Sequence, residues 1–434
     1  MKKNNIIICT LLLLLGIAFW SFKGTDEVYQ PIGKDAKLIA EGKETFRHNT
    51  FGGEGFWTGI LHLDKAVLGS ENGGYGGGVS PSTALAVGLK VDSEMLPAGV
   101  VQGIEAGTIS LKDPKTSVAL LKLNAVVGLK GTFSKAGDMT GLAITCALCH
   151  STVDNSYAPG IGKRLDGWAN RDLNVGAIIS LTDNADFIGK FLHVPPATAT
   201  AVLQGWGPGK FNAGLFVDGK ALKPDGTIAG NLIPSAYGMK GVGLTTYTGW
   251  GDITYWNSFV ANLEMHGQGT FTDTRLDNAT QFPIASENNF GHVKNNKDLI
   301  TSKLAGLKAY QLSLNAPTPP KGSFDAIAAA NGKLLFQGKA QCAACHAGPA
   351  FTDSNKKLHS AEEIGIDNFE ASRSPTGKYR TTPLRGLFAR SKGGYYHDGR
   401  FATLNEVVVH YDKHFKLSLT PKEKSDLAEY LKSI

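Results

Sequence analysis

Two copies of one pentapeptide, Cys146-Ala147-Leu148-Cys149-His150 and Cys342-Ala343-Ala344-Cys345-His346, constrain this chain more than any other feature. On a helical turn, positions three and four apart share a face, so each run presents two thiols and an imidazole together. Attaching a c-type haem needs that set: two thioethers to the porphyrin edge and the adjacent histidine on the iron. The competing readings fit less well. Paired zinc knuckles usually stand roughly 15–20 residues apart, whereas Cys146 and Cys342 are 196 apart. A redox dithiol or a local disulfide has no use for a histidine directly after both pairs. With only 5 cysteines and 11 histidines in the chain, two such runs do not arise by chance. The expectation is two covalently bound c-type haems, on Cys146 and Cys149 and on Cys342 and Cys345, with His150 and His346 as iron ligands.

Composition agrees with a globular chain built around such groups. At 434 residues the chain has room for two or three domains. Its 53 glycines predict long irregular loops, and embedded cofactors would supply apolar core that such loops lack. A net charge of +6, scattered along the chain, excludes nucleic acid and gives at most a bias toward acidic partners. At the N-terminus Lys2 and Lys3 precede an apolar run of 15 residues from Ile6 to Trp20. That is the length of a secretory core and is short of the about 20 residues of a membrane span. No small-residue cleavage site follows, so residues 1–22 read as a signal peptide or as an uncleaved N-terminal anchor. Cys9 lies inside the run and reads as part of it, not as a lipidation site. Either way the body is exported, which places it in the periplasm, free or anchored to the inner membrane. Haem attachment outside the cytoplasmic membrane fits that address.

Residues 23–314 read as an N-terminal haem domain with extensions. Glycine-dense patches at 52–55 and 73–78 mark loops, and Ser117–Leu129 has partial helical spacing. His62 and Met95 read as packing residues. After the first pentapeptide, the run from Arg164 to Asp172 reads either as a turn-rich surface loop or as a wrap around the haem edge, with arginine meeting the propionates. Trp206, Trp250 and Trp256 read as core, with an electron relay between cofactors as the rival role. Residues 315–322, with three prolines, form a stiff linker. Beyond it, 323–434 is the size of a one-haem domain. A helix is expected from Phe324 to Gln337, and a second after Thr420-Pro421-Lys422-Glu423, a capping box with proline at the first helical position. Leu427, Tyr430, Leu431 and Ile434 give that last helix an apolar face. Two such helices bracketing a haem turn resemble a class I cytochrome c domain.

Between these helices lie Arg380-Thr381-Thr382-Pro383-Leu384-Arg385-Gly386 and Tyr395-Tyr396-His397-Asp398-Gly399-Arg400-Phe401-Ala402-Thr403-Leu404. Together with the two pentapeptides they resemble the di-haem cytochrome c peroxidase/MauG superfamily. The resemblance is specific over about 332–431 and rests upstream on the first pentapeptide. It implies a mainly α fold of two cytochrome c-like haem domains with long irregular, glycine-rich loops. It also implies a reactive N-terminal haem that takes hydrogen peroxide and a C-terminal haem that transfers electrons. A branch resembling the rubber oxygenases uses dioxygen instead. A small redox protein or a quinol-linked donor would supply electrons, and calcium has a place between the domains in such proteins.

The family puts the sixth ligand of the C-terminal iron fourteen residues after the histidine of the His-Asp-Gly run, which here is Tyr411. Peroxidases of the family carry methionine there and the MauG branch tyrosine; a phenolate favours ferric iron where a thioether favours ferrous. His410 and His414 are the alternatives. The loop after the first pentapeptide lacks the histidine that peroxidases carry, so the first iron is expected to be open to a small oxidant. Glu264, His266 and Gln268 are the candidates for acid–base work beside it, on residue type alone. Met265 or His266 closing the iron is the opposing possibility. The function expected is a peroxidase-like oxidoreductase; the alternative is a non-catalytic electron-transfer cytochrome c.

Overall fold

Each pentapeptide is held by a pair of helices that come from distant parts of the sequence and cross at a glycine. The structure, a computed structural model, describes residues 33–434; the apolar run of Ile6 to Trp20, with Cys9, lies outside the described residues. In the N-terminal part, Gly33–His48 crosses Leu304–Ser313. A Cβ on Gly42 would stand 1.9 Å from the Gly306 carbonyl oxygen, so only glycine permits the approach. Phe46, Leu307 and Tyr310 from this pair pack with Ala147 of the first haem turn. In the C-terminal part, Ala326–Gln337 crosses Pro421–Lys432 at Gly332, whose Cβ would lie 2.0 Å from the Asp426 carbonyl oxygen. Phe336, Leu427, Tyr430 and Leu431 form the core there, with Cys342 at its edge.

The C-terminal helix ends follow the sequence signals closely. Asp325 accepts from the Ile327 and Ala328 amides, so the first helix starts two residues after Phe324, and it ends at Gly338 as expected. The Thr420 box is closed in both directions, with Glu423 N–H donating to Thr420 Oγ1 and Thr420 N–H to Glu423 Oε2. Upstream, the expected helix over Ser117–Leu129 is corrected. It runs Pro114–Lys122, started by Pro114 and the Asp113 cap, and Asn124 then turns left-handed at φ 55°. Leu129 opens a strand instead.

The protein is mainly helical, and among the described residues its strands form two-stranded pairs only. Two pairs place the first haem turn. Leu129–Phe133 pairs antiparallel with Met139–Ile144, which runs directly into Cys146. Ser151–Val153 then pairs with Arg164–Asp166 and folds the following loop back over the turn. Gly128, at φ 82°, lies so close that its Cβ would be 2.1 Å from Leu148 Cα. His62 and Met95 are not packing residues. His62 pairs with Asp183 at 2.7 Å on the surface, and Met95 is 38% exposed.

Residues 314–320 have no regular structure, and each apolar cluster among the described residues lies wholly on one side of this stretch. Pro317 packs with Tyr237 against Gly386, where a Cβ would meet both rings within 2.9 Å. No helix among the described residues is long and apolar enough to cross a membrane.

The Gly332 crossing makes a direct test. Gly332→Ala forces a methyl against a backbone carbonyl and is expected to cost about 1–3 kcal/mol in denaturant unfolding of the full haem-loaded chain. Asn331→Ala, one residue away and exposed, is expected to stay within about 0.5 kcal/mol. Equal effects of the two would refute the close-crossing account.

Candidate haem-binding sites

Cys146, Cys149 and His150 open into a cavity of about 320 Å³, within the range of small-molecule sites. Its walls are largely apolar, with Ile178, Phe187, Phe211, Phe216, Leu232 and Phe259 among them. His150 Nδ1 lies 3.0 Å from the Pro234 carbonyl oxygen. A carbonyl can only accept, so Nδ1 carries the proton and Nε2 keeps its lone pair for a metal. Burial pushes both thiols up to about 12. A redox dithiol needs accessible thiolate, so this pair is unsuited to that chemistry.

Glu264, Met265 and His266 come to the same cavity through an irregular segment. The Ile253–Phe259 helix widens into a π-helical turn over Val260–Glu264, and the Met265 amide donates to Val260 O at 2.8 Å. His266 then takes a left-handed conformation, φ 53°, and its ring stacks on Phe56 at 3.5 Å. Trp57 Nε1 anchors the turn by donating to Met265 O at 3.0 Å. Both a π-turn and a left-handed non-glycine residue cost energy, and both concentrate at functional sites. Burial raises the Glu264 carboxyl to about 8 and lowers the His266 imidazole to about 4. At neutral pH the cavity therefore holds a protonated acid and an uncharged base. The exposure Glu264 retains is to the cavity surface, consistent with that desolvation. Gln268 is not brought in: it is exposed, and its amide is tied to Phe51 O at 2.8 Å.

The cavity also carries polar atoms with nothing to bind. Thr246 Oγ1, Trp256 Nε1 and Arg380 Nε are buried without a hydrogen-bond partner, and all three residues line it. An apolar chamber with two thiols, a free imidazole nitrogen and unpaired donors fits a haem: a flat apolar ring with an anionic edge and a metal centre.

The second site is shallower. Cys342–Ala344 is one 3₁₀ turn, His346 Nδ1 lies 3.1 Å from Phe351 O, and the Thr382 backbone also meets the imidazole. Across from it runs the Leu404–Phe415 helix. Tyr411 is the residue on this helix whose hydroxyl feels both Cys342 and Cys345, and burial pushes it up to about 12. His410 and His414 turn the other way, their Nε2 atoms 3.0 Å from Ile364 O and 3.2 Å from Glu363 O. Tyr396, at φ 69°, packs behind Tyr411 with ring centres 6.2 Å apart.

Comparison with known proteins adds to this geometry. MauG, the methylamine utilization protein of Methylorubrum extorquens, is 32% identical over 155 residues, 31% of this chain and 43% of MauG. Cytochrome-c peroxidase IdrP1 of Denitromonas iodatirespirans is 26% identical over 223 residues, 39% of this chain and 58% of that protein. The chain is a distant homologue of MauG and of the cytochrome-c peroxidases. It spans about half the length of these two curated relatives. No protein-family model matches it. A solved MauG-like protein associated with microbial copper homeostasis aligns at a TM-score of 0.32 and 21% identity, over 51% of this chain and 78% of that one.

The remaining residues singled out in the sequence divide. Arg164 is paired with Asp92, which holds its Nε at 2.9 Å with both side chains buried, while its Nη1 is buried without a partner. Arg171 stays unpaired at Nε. Trp250 and Trp256 line the cavity, whereas Trp206 packs edge-on against Phe211 at 5.4 Å. Asp367, His397 and Asp398 come within 4.8 Å of one another, as a cation site would require. Arg400 bridges both carboxylates and Lys223 binds Asp398 at 3.0 Å, so protein cations already compensate that group. Arg380 and Tyr247, both on the cavity wall, were missed. Arg380 stood in the quoted Arg-Thr-Thr-Pro run but gave no sign of which haem it faces.

The Glu264 assignment has a pH signature. Its folded pKa is raised from 4.5 to about 8, so the stability present below about pH 4.5 is lost as pH rises toward about 8. Glu264→Gln cannot ionise and is expected to melt increasingly above the parent between about pH 5 and pH 8. Parallel melting curves for the two proteins across this range would argue that Glu264 ionises normally.

Proposed function

We propose that this chain is an exported di-haem c-type cytochrome that acts as a peroxidase-like oxidoreductase in the periplasm. Residues 23–314 would carry the reactive haem on Cys146, Cys149 and His150, and residues 323–434 the electron-transfer haem on Cys342, Cys345 and His346, joined by 315–322. The supporting observation is that Glu264 and His266 both line the cavity into which His150 opens, where burial raises the carboxyl and lowers the imidazole. The iron would supply electron-transfer chemistry toward hydrogen peroxide or dioxygen. The protein's share is proton handling and water exclusion. Glu264 can give a proton to a bound oxygen atom and recover it later, since its pKa lies near neutral. His266, fixed by its stack on Phe56, can accept one without carrying charge at rest. Trp256 Nε1 and Thr246 Oγ1 are spare donors for the same oxygens. The relatives named cytochrome-c peroxidase agree with this class of reaction. A small redox protein or a quinol-linked donor would reduce the C-terminal haem.

A second reading, a non-catalytic electron-transfer cytochrome, has one observation in its favour. Met265 lines the same cavity and is a residue type able to close an iron. Carbon monoxide separates the two. The reduced full-length protein is expected to bind one carbon monoxide per chain, seen as a Soret shift of one haem. No binding at either haem would rule the enzyme out.

Ligation at the second haem has its own test. Tyr411 faces the cysteines while His410 and His414 are bonded elsewhere, so Tyr411→Phe is expected to change the ferric spectrum of the C-terminal haem. His410→Gln is expected to leave it unchanged. The reverse outcome would assign the ligand to the histidine.

A further inference from the structure

Three arginines gather beside the first cavity without a carboxylate to balance them. Arg380 lines the cavity and is 9% exposed. Its backbone amide donates to Tyr247 O at 2.9 Å, its Nη1 reaches Leu244 O at 3.3 Å, and its Nε has no partner. The charged or titratable neighbours felt by its guanidinium are Arg390 and Tyr247, and burial pulls it down to about 10. Arg171 lies against Tyr247 and Tyr237, feels Arg390 as well, and has a buried Nε without a partner. Arg390 spends its donors on the Pro383 and Arg385 carbonyls and stands 5.3 Å over the Tyr237 ring. Of the two acids on the same cavity wall, Glu370 is taken by Arg373 at 3.4 Å, and Glu264 is not among the charges felt by Arg380 or Arg171.

Buried cations with no counter-charge are costly, by several kcal/mol each. A group that arrives with its own anions would relieve that cost. A haem fixed by thioethers along one edge carries its two propionate carboxylates on the far edge, and guanidinium is the side chain best matched to a carboxylate. The geometry points to Arg380, assisted by Arg171, as the seat of a propionate of the haem attached at Cys146 and Cys149. Both are positioning residues: they touch the ring's edge, and through it set how readily the iron accepts an electron. This rests on the di-haem reading above. It adds that a residue from beyond the 315–322 stretch tunes the haem carried before it.

The test uses the full-length protein matured with haem, after pyridine haemochrome has given two haems per chain. Spectroelectrochemical titration then follows the midpoint potential of the first haem, identified as the wave lost in Cys146→Ala/Cys149→Ala. Removing a positive charge near the iron favours the ferric state, so Arg380→Gln is expected to shift that wave to lower potential. Arg171→Gln should shift it the same way, and Arg380→Lys should return it toward the parent value. The C-terminal wave should not move. An unmoved first wave in both Gln variants would overturn the assignment. So would a shift in Arg380→Lys as large as in Arg380→Gln, since that marks a merely structural loss. A parent protein with one haem or none would instead overturn the di-haem reading itself.

Discussion

The hydrogen bond from His150 Nδ1–H to the Pro234 carbonyl governs the first site, because it decides which nitrogen faces the cavity. That carbonyl is held in place by a segment strung between distant parts of the chain. Leu232 donates to His397 O at 2.6 Å, Ile233 to Gly209 O at 2.9 Å, and Ala236 to Gly167 O at 2.7 Å. Gly167 in turn donates to His150 O at 2.8 Å, which closes a ring of backbone bonds around the imidazole. One bond of the ring comes from the His-Asp-Gly run. The orientation of the first histidine is thus coupled to a motif that lies beyond the second haem turn in sequence. Fixing the ring partner of a ligating histidine in this way sets its tautomer and its basicity.

The two haem turns share a plan and differ in surroundings. Each sits beside a helix pair that crosses at a glycine, and each histidine gives its Nδ1 proton to a main-chain carbonyl. The first opens into a chamber whose walls desolvate every titratable group that reaches it. The second is one turn at the edge of a helix pair, with Ala344 in solvent and Tyr411 across from it. Chemistry that must exclude water suits the enclosed site, and exchange of electrons with a partner suits the exposed one. Residues from beyond the 315–322 stretch, Glu370 and Arg380 among them, help to enclose the first turn.

What the sequence disclosed was local. The Thr420 box and the glycine stop at Gly338 each depend on a few adjacent residues, and each stands where it was read. Glu264 and His266 were chosen by type, yet their convergence depends on a π-turn and a left-handed histidine that no periodicity announces. Gln268, two residues on, fell outside the cavity for the same reason: the irregular turn re-aims the chain after His266. The N-terminal helix pair was invisible because its partners, Gly33–His48 and Leu304–Ser313, are separated by most of the chain. Arg164 and Arg171 looked alike in sequence. Only the fold shows that Asp92 neutralises one and nothing neutralises the other.

That last contrast extends across the molecule. Arg47 has Asp166, Arg164 has Asp92, and Arg373 has Asp218 with Glu370 beside it. The three pairs with aspartate tie segments 72 to 155 residues apart, and each of these guanidinium groups meets a carboxylate within 3.4 Å. A chain that balances its buried arginines this consistently has the acidic residues to do so. Where Arg171 and Arg380 stand, the neighbours are instead tyrosines: Tyr237 and Tyr247 beside Arg171, and Tyr247, whose hydroxyl burial pushes up, beside Arg380. A carboxylate placed there would have satisfied the free chain at the expense of any anion entering the cavity. With none there among the described residues, the wall has a place for the anionic edge proposed above.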